Sequence, residues 1–211
     1  MKRWTILLSI LFLMSLFSLE MVSGQQKMIQ IGVLQFASHP ALDSARDGFV
    51  DYLTQAGFKD GEKVKLDLQN SQRDMSVART ICKKFVTDNK DLIYAIATPA
   101  SQAAAKETTT IPIIFNAVTD PVKAGLVKGI DSSGNNVTGV SDFIPVKSQI
   151  ELLLKIAPQV KRLGIIYNAG EDNSRVLVEI TRGVAKELKL ELVDATVTNT
   201  GEVFAATQTL A

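Results

Sequence analysis

Residues 91–106 read DLIYAIATPASQAAAK. The apolar run 92–97 stops at Thr98-Pro99-Ala100-Ser101, and an alanine-rich helical segment, 100–106, follows at once. An apolar run without alternation is what a parallel strand buried on both faces requires. Pro99 fixes φ and has no N–H to satisfy, so it suits a helix start. Strand, tight exit and helix together make half of a βαβ unit.

The unit recurs on both sides. Residues 28–36 form another unbroken apolar strand, and Pro40 opens a helix with Leu42, Ala45, Phe49, Tyr52, Leu53 and Ala56 at helical spacing before Gly57. A strand at 64–68 follows the Asp60-Gly61 turn. Asp74 caps a helix whose apolar face is Val77, Ala78, Ile81, Cys82 and Phe85. Residues 111–115 and 137–140 add two strands. Repeated βαβ units imply an α/β fold, a parallel sheet with helices on both faces. The pattern then restarts: helix 146–157, bare strand 163–167, a helix carrying Val176, Leu177, Ile180, Val184 and Leu188, strand 190–197, and a helix from Glu202. Two strands are too few for an independent sheet covered on both faces. The expectation is therefore a first α/β lobe over 25–142, and a hinge with the start of an incomplete second α/β lobe over 143–211. The alternative is one domain in which the last two strands join the first sheet.

Composition narrows the function. The chain has 211 residues, 46% of them hydrophobic, and a net charge of +1 from 23 basic and 22 acidic side chains. No basic field points to nucleic acid and no acidic block to a disordered tail. One cysteine excludes an internal disulfide, and with one histidine it makes an ordinary zinc site unexpected. No cofactor or metal is expected. Cys82, on an apolar helix face, reads as core packing. At the N-terminus Met1-Lys2-Arg3 precedes an apolar stretch, 6–19, shorter than the roughly 20 residues of a membrane span. Val22-Ser23-Gly24 then offers small residues for cleavage before Gln25. Residues 1–24 read as a secretory signal peptide, with an uncleaved anchor as the alternative. No cysteine near the boundary provides for lipid attachment.

Ligands of open parallel sheets bind beyond the carboxyl ends of the strands. Five such ends carry polar groups beside an aromatic residue or a proline: 35–43, 98–101, 116–121, 141–142 and 167–174. At Thr98–Ser101 the helix amides, the positive end of the macrodipole and two hydroxyls suit a carboxylate or a phosphate. The alternative is an ordinary cap with water as partner. Phosphate is the weaker choice, because neither G-x-x-x-x-G-K-[ST] nor G-x-G-x-x-G follows a strand. Asp142, between Ser141 and Phe143, places a carboxylate at the crossing between lobes, where it can meet an ammonium group or else cap the next helix. Phe36, His39 and Leu42 supply flat or apolar surface, and the other reading of His39 is an exposed cap residue before Pro40. Asp43 complements the dipole of its own helix. No nucleophile is evident: Ser101 lacks a G-x-S-x-G context, and His39 has no evident partner.

HPALD (39–43), ATPASQAA (97–104), TDPVKAGLV (119–127), NVTGVSD (136–142) and YNAGEDNS (167–174) resemble, in this order, the ABC-transporter substrate-binding proteins of the tryptophan/tyrosine type. The resemblance covers nearly all of the chain after the leader. It implies a periplasmic-binding-protein-like fold with a flavodoxin-like strand order in the first lobe, two lobes closing about a hinge, and a C-terminally shortened chain, since members are about half as long again. It further implies that the protein is not an enzyme. It would act as a monomer that captures an aromatic or apolar amino acid for a membrane permease. Carried over by position, Thr98 and Ser101 with the amides of Ala100 and Ser101 would hold the α-carboxylate, and Asp142 the α-ammonium. Phe36, His39, Pro40 and Leu42 would border the side-chain pocket, Thr119 and Asp120 the first-lobe wall, and Asn168, Asn173 and Ser174 would close from the second lobe. Ser101 departs from the alanine expected in many relatives. The missing lipid-attachment cysteine favours a free periplasmic protein. The alternatives are a binding protein for a sugar or short peptide, or an enzyme on a flavodoxin-like fold.

Overall fold

The structure, a computed structural model, describes residues 27–210, so the leader reading of residues 1–24 lies outside them. Along the chain run β1 (Ile29–Gln35), α1 (Pro40–Gln55), β2 (Val64–Asn70), α2 (Met75–Thr87), β3 (Leu92–Ile96), α3 (Thr98–Glu107), β4 (Ile113–Val118) and β5 (Val137–Ser141). There follow α4 (Val146–Ile156), β6 (Arg162–Tyr167), α5 (Asp172–Glu187), β7 (Glu191–Thr196), a 3-10 turn (Thr200–Glu202) and α6 (Val203–Leu210). None of the described helices is long and apolar enough to cross a membrane.

The first five strands form one parallel sheet in the order β2-β1-β3-β4-β5, the flavodoxin-like order expected. β6 and β7 pair in parallel with each other in a separate sheet, so the last two strands do not join the first. Both faces of the five-stranded sheet are covered. On one, Ile31, Val33, Tyr94 and Ile96 pack under Leu42, Phe49 and Leu53 of α1, and the Phe49 and Tyr94 rings stack 4.0 Å apart. On the other, Leu34, Ile93 and Phe115 meet Cys82 and Phe85 of α2 and Ala100, Ala103 and Ala104 of α3. The alanines let α3 lie close to the sheet. A Cβ on Gly32 would stand 2.6 Å from the Phe85 ring, so that ring sits directly on the backbone of β1. The two-stranded sheet has its own core, in which Val146 and Ile150 of α4 meet Val184 of α5, with Leu163 and Leu190 beside them.

Two boundaries differ from the expectation, the first of them at the site. α3 starts at Thr98, not Ala100: Ala97 turns the chain with φ +84° and no side-chain cap, and Pro99 sits in the first turn. β4 starts at Ile113 rather than residue 111, because Thr108 Oγ1 accepts from the amides of Thr110 (3.2 Å) and Ile111 (3.1 Å) and holds that stretch as a turn.

Candidate functional site

All five strands of the first sheet deliver residues to one cavity of about 390 Å³. β1 contributes Phe36 and Ala37, with His39, Ala41 and Leu42 just beyond; β2 contributes Arg73; β3 Ala97, Thr98 and Pro99; β4 Ala117 and Thr119; and β5 Asp142. Glu171 and Asn173, at the start of α5, close the cavity from the second lobe. The cavity straddles the point where the strand order reverses, the usual ligand position in such sheets. A second cavity, about 620 Å³, adjoins it and shares Arg73 and Glu171.

Local structure explains this convergence. The Gln35 side chain is buried. Its Nε2 donates to the Ala37 carbonyl (2.7 Å) and to Asp43 Oδ1 (2.7 Å), while its Oε1 accepts from Arg46 Nη1 (3.1 Å), which fixes the β1–α1 turn. His39 Nδ1 accepts from the Ala41 amide (3.2 Å), so this histidine caps α1 and borders the cavity at once. Arg73 follows Gln72, and both have left-handed backbone at φ +68° and +53°. The Arg73 amide donates to the Phe36 carbonyl (2.7 Å), tying the end of β2 to the end of β1. Ala117 is a further left-handed residue, φ +56°, at a register shift between β4 and β5. Arg73, Ala97 and Ala117 thus line one cavity in sparsely populated conformations, the kind of strain that collects at functional sites.

The start of α3 supplies the anion-attracting end. The Ala97 amide donates to the Asn116 carbonyl (2.9 Å), Pro99 has no N–H, and the Ser101 amide bonds back to Ala97 (3.1 Å). That leaves the amides of Thr98 and Ala100 without backbone acceptors among the described residues, with the helix dipole behind them. Here the expectation is corrected, because it assigned the amides of Ala100 and Ser101. Since the helix begins at Thr98, Ser101 lies fully buried inside its first turn, and its hydroxyl donates to the Ala97 carbonyl (2.9 Å). Neither Ser101 nor Ala100 lines the cavity, both being fully buried, so Thr98 is the residue of this turn whose donors reach it.

Asp142 lines the cavity and does not cap α4, whose N-cap position is held by Pro145 without a side-chain bond. Among the described residues nothing pairs with its carboxylate. Asn173 Oδ1 is buried and has no hydrogen-bond partner among the described residues. Buried polar atoms in native proteins are nearly always paired, so an orphan acceptor in a cavity wall points to a donor supplied from outside.

The other expected residues are placed as follows. Thr119 lines the cavity, while Asp120 Oδ1 accepts from the amides of Val122 (3.1 Å) and Lys123 (2.9 Å) in the next turn and does not reach it. Pro40 opens α1 while its neighbour Ala41 faces the space. Asn168 lies on the adjoining cavity, its Nδ2 donating to Glu171 Oε1 (3.1 Å). Ser174 turns the other way, into a separate apolar space against β6. Arg73 and Glu171 went unforeseen. Arg73 lies at the exit of β2, Asn70-Ser71-Gln72-Arg73, a strand end to which the carboxyl-edge rule applies equally.

Across the gap between the lobes, Gln102 Nε2 of α3 donates to Asp172 Oδ2 of α5 (2.6 Å) and to the Ala124 carbonyl (3.0 Å). This bond lies within one helical turn of both Thr98 and Asn173.

Known proteins resemble this chain along most of its length. A tyrosine-binding protein of Clostridioides difficile is 44% identical over 188 residues, covering 89% of this chain and 54% of that protein. A Streptococcus pneumoniae ABC domain solved in complex with L-Trp is 41% identical, with a TM-score of 0.83, 87% of this chain and 62% of that one being covered. A Clostridium difficile substrate-binding protein with adhesive properties, solved in a ligand-free, open form, is 45% identical at the same coverage, with a TM-score of 0.65. The chain thus spans about half to three-fifths of the length of these relatives. Residues 30–211 match the family model described as ABC transporter substrate binding protein. With that match over nearly the whole described fold, the chain belongs to the ABC transporter substrate-binding protein family.

Proposed function

We propose that the protein is the extracytoplasmic binding component of an ABC importer and captures an amino acid, aromatic or apolar, between its lobes for delivery to a membrane permease. The observation that carries this reading is the pairing of opposite polar ends in one cavity. The amide and hydroxyl of Thr98, at the positive end of α3, offer donors to an α-carboxylate, and Asp142 with the orphan Asn173 Oδ1 offers acceptors to an α-ammonium. Phe36, His39 and Leu42 give the side chain an apolar wall. Capture proceeds by hinge closure without covalent chemistry. The greater likeness to the L-Trp complex than to the open, ligand-free relative supports closed lobes, and the Gln102–Asp172 bond, which joins α3 to α5, is in keeping with that. Residues 25–142 form the first lobe in this reading, and residues 143–211 the hinge and part of the second. The leader reading of residues 1–24 would place the protein outside the cytoplasm.

The test is a thermal-shift panel of the twenty amino acids and a set of sugars on ligand-stripped protein, since a ligand that binds only the folded state raises stability by mass action. Aromatic or branched amino acids are expected to raise Tm. Stabilisation by a sugar with no response to any amino acid would overturn the assignment, and turnover of a bound amino acid would overturn the absence of chemistry.

A further inference from the structure

We infer that Gln35 is a positioning residue for capture: without touching the ligand, its buried amide holds segment 36–42 in the shape that borders the side-chain pocket. The inference rests on the amino-acid reading and names a residue outside the cavity on which affinity depends.

Five residues of this one short segment, Phe36, Ala37, His39, Ala41 and Leu42, line the cavity. As far as Phe36 the sheet holds the backbone. The Phe36 amide donates to the Ile96 carbonyl (3.2 Å), and the Phe36 carbonyl accepts from the Arg73 amide (2.7 Å) and the Ser71 hydroxyl (3.0 Å). From His39 onward α1 holds it, the His39 carbonyl accepting from the Asp43 amide (2.8 Å). The two residues between belong to neither ladder. There the Ala37 carbonyl accepts from Gln35 Nε2 (2.7 Å) and has no other partner among the described residues. Nε2 also donates to Asp43 Oδ1 (2.7 Å) in the first turn of α1, so one amide ties the turn to the helix that follows it.

That amide fits only one way round. The Ala37 carbonyl and the Asp43 carboxylate accept, while the Arg46 guanidinium, 3.1 Å from Oε1, only donates. Arg46 Nη1 also donates to Asp43 Oδ1 (3.4 Å), closing a ring of three side chains. Gln35 is 1% exposed and does not line the cavity, so water does not replace these bonds and any effect on a ligand passes through the segment. A thioether of similar length makes none of the three bonds. A carboxylate of the same shape keeps only the Arg46 bond and faces two acceptors. The Thr98 end of the cavity is fixed separately, by the Ala97 amide on the Asn116 carbonyl (2.9 Å). Breaking the ring therefore loosens the wall of the side-chain pocket. The free protein then visits other arrangements of the segment, and the apparent dissociation constant rises by the reciprocal of the binding-competent fraction.

Calorimetric titration of the full chain with L-tryptophan, L-tyrosine and L-leucine, with melting curves in parallel, tests this. Gln35→Met and Gln35→Glu are each expected to raise the dissociation constant of the tightest-binding of the three about tenfold, a competent fraction of about one tenth. Arg46→Met leaves both Nε2 bonds and should raise it by about threefold. A merely structural role would lower Tm and leave the dissociation constant of the folded protein unmoved. A Gln35 variant that melts cooperatively and binds within about twofold of wild type would thus overturn the inference and leave amino-acid capture standing. Should neither Gln35 variant fold, Arg46→Met, at a side chain 30% exposed, carries the test, and wild-type affinity in it would overturn the inference. Wild type that binds none of the three amino acids would overturn both.

Discussion

The Gln102 bridge allows stability and affinity to be separated by one substitution. Gln102→Leu keeps the shape of the side chain and removes two hydrogen bonds. The bond to the Ala124 carbonyl lies within the first lobe. Its loss acts equally on open and closed forms and lowers Tm without entering the dissociation constant. The bond to Asp172 joins α3 to α5, so under the proposed hinge closure its loss raises the energy of the closed form alone. Hydrogen bonds to charged groups contribute about 1.5–3 kcal/mol net. The Asp172 side chain is 31% exposed and keeps Arg175 as a second partner, which argues for the lower end. A closed form raised by about 1.5 kcal/mol weakens ligand binding about tenfold. Titration calorimetry of wild type and Gln102→Leu with the best-binding amino acid measures that shift. A cycle with Asp172→Asn isolates the pair, because the second substitution should add little once the first is made. If Gln102→Leu lowers Tm and leaves the dissociation constant within about twofold, the bond does not distinguish open from closed.

Asp142→Asn should weaken amino-acid binding by about tenfold or more, through loss of a charge facing the ammonium, and an unchanged calorimetric dissociation constant would remove Asp142 from the site. Gly139→Ala places a Cβ 2.1 Å from the Phe115 carbonyl oxygen, a backbone atom that cannot yield; a loss of about 1–3 kcal/mol in chemical denaturation is expected, and a wild-type midpoint would show that β4 and β5 have room to part. Asp74 is held below the ordinary aspartate range by the Ser76 hydroxyl and by the Val77 and Ser76 amides that it caps. A depressed folded-state pKa adds stability that is present above the unfolded value and is lost as pH falls through the folded one. Asp74→Ala should therefore flatten the acid limb of a Tm-against-pH curve below about pH 4, and an unaltered slope would contradict the cap. Burial, and secondarily the charge of Glu107, pushes the Cys82 thiol up to about 12, so a thiol reagent at mildly alkaline pH should label it only on unfolding. Prompt labelling of native protein would place Cys82 outside the core.

Burial on both faces is what made the strands readable. Ile93, Tyr94, Ala95 and Ile96 are all inside, so no polar position interrupts the run and its period is unmistakable. The start of α3 was misread because its turn is made by Ala97 at φ +84°, a conformation whose usual sign is glycine. Alanine announces nothing, so the sequence points to Pro99 as the helix start and leaves Thr98 and Ser101 as hydroxyls at its mouth. The two-residue shift moved Ser101 from the mouth of the helix into its first turn, where its hydroxyl serves the Ala97 carbonyl. The same limit applies to Ala117. Arg73 was hidden differently: Ser71-Gln72-Arg73-Asp74 reads as a polar turn before a cap, and Asp74 does cap α2. The importance of Arg73 comes from the order of the sheet. In chain order Phe36 comes first and Arg73 second. The crossover that sets β1 between β2 and β3 exchanges them in space, making Arg73 outermost and placing Phe36 between it and Thr98. The place of Arg73 on the cavity wall thus follows from topology and from no local pattern of the sequence.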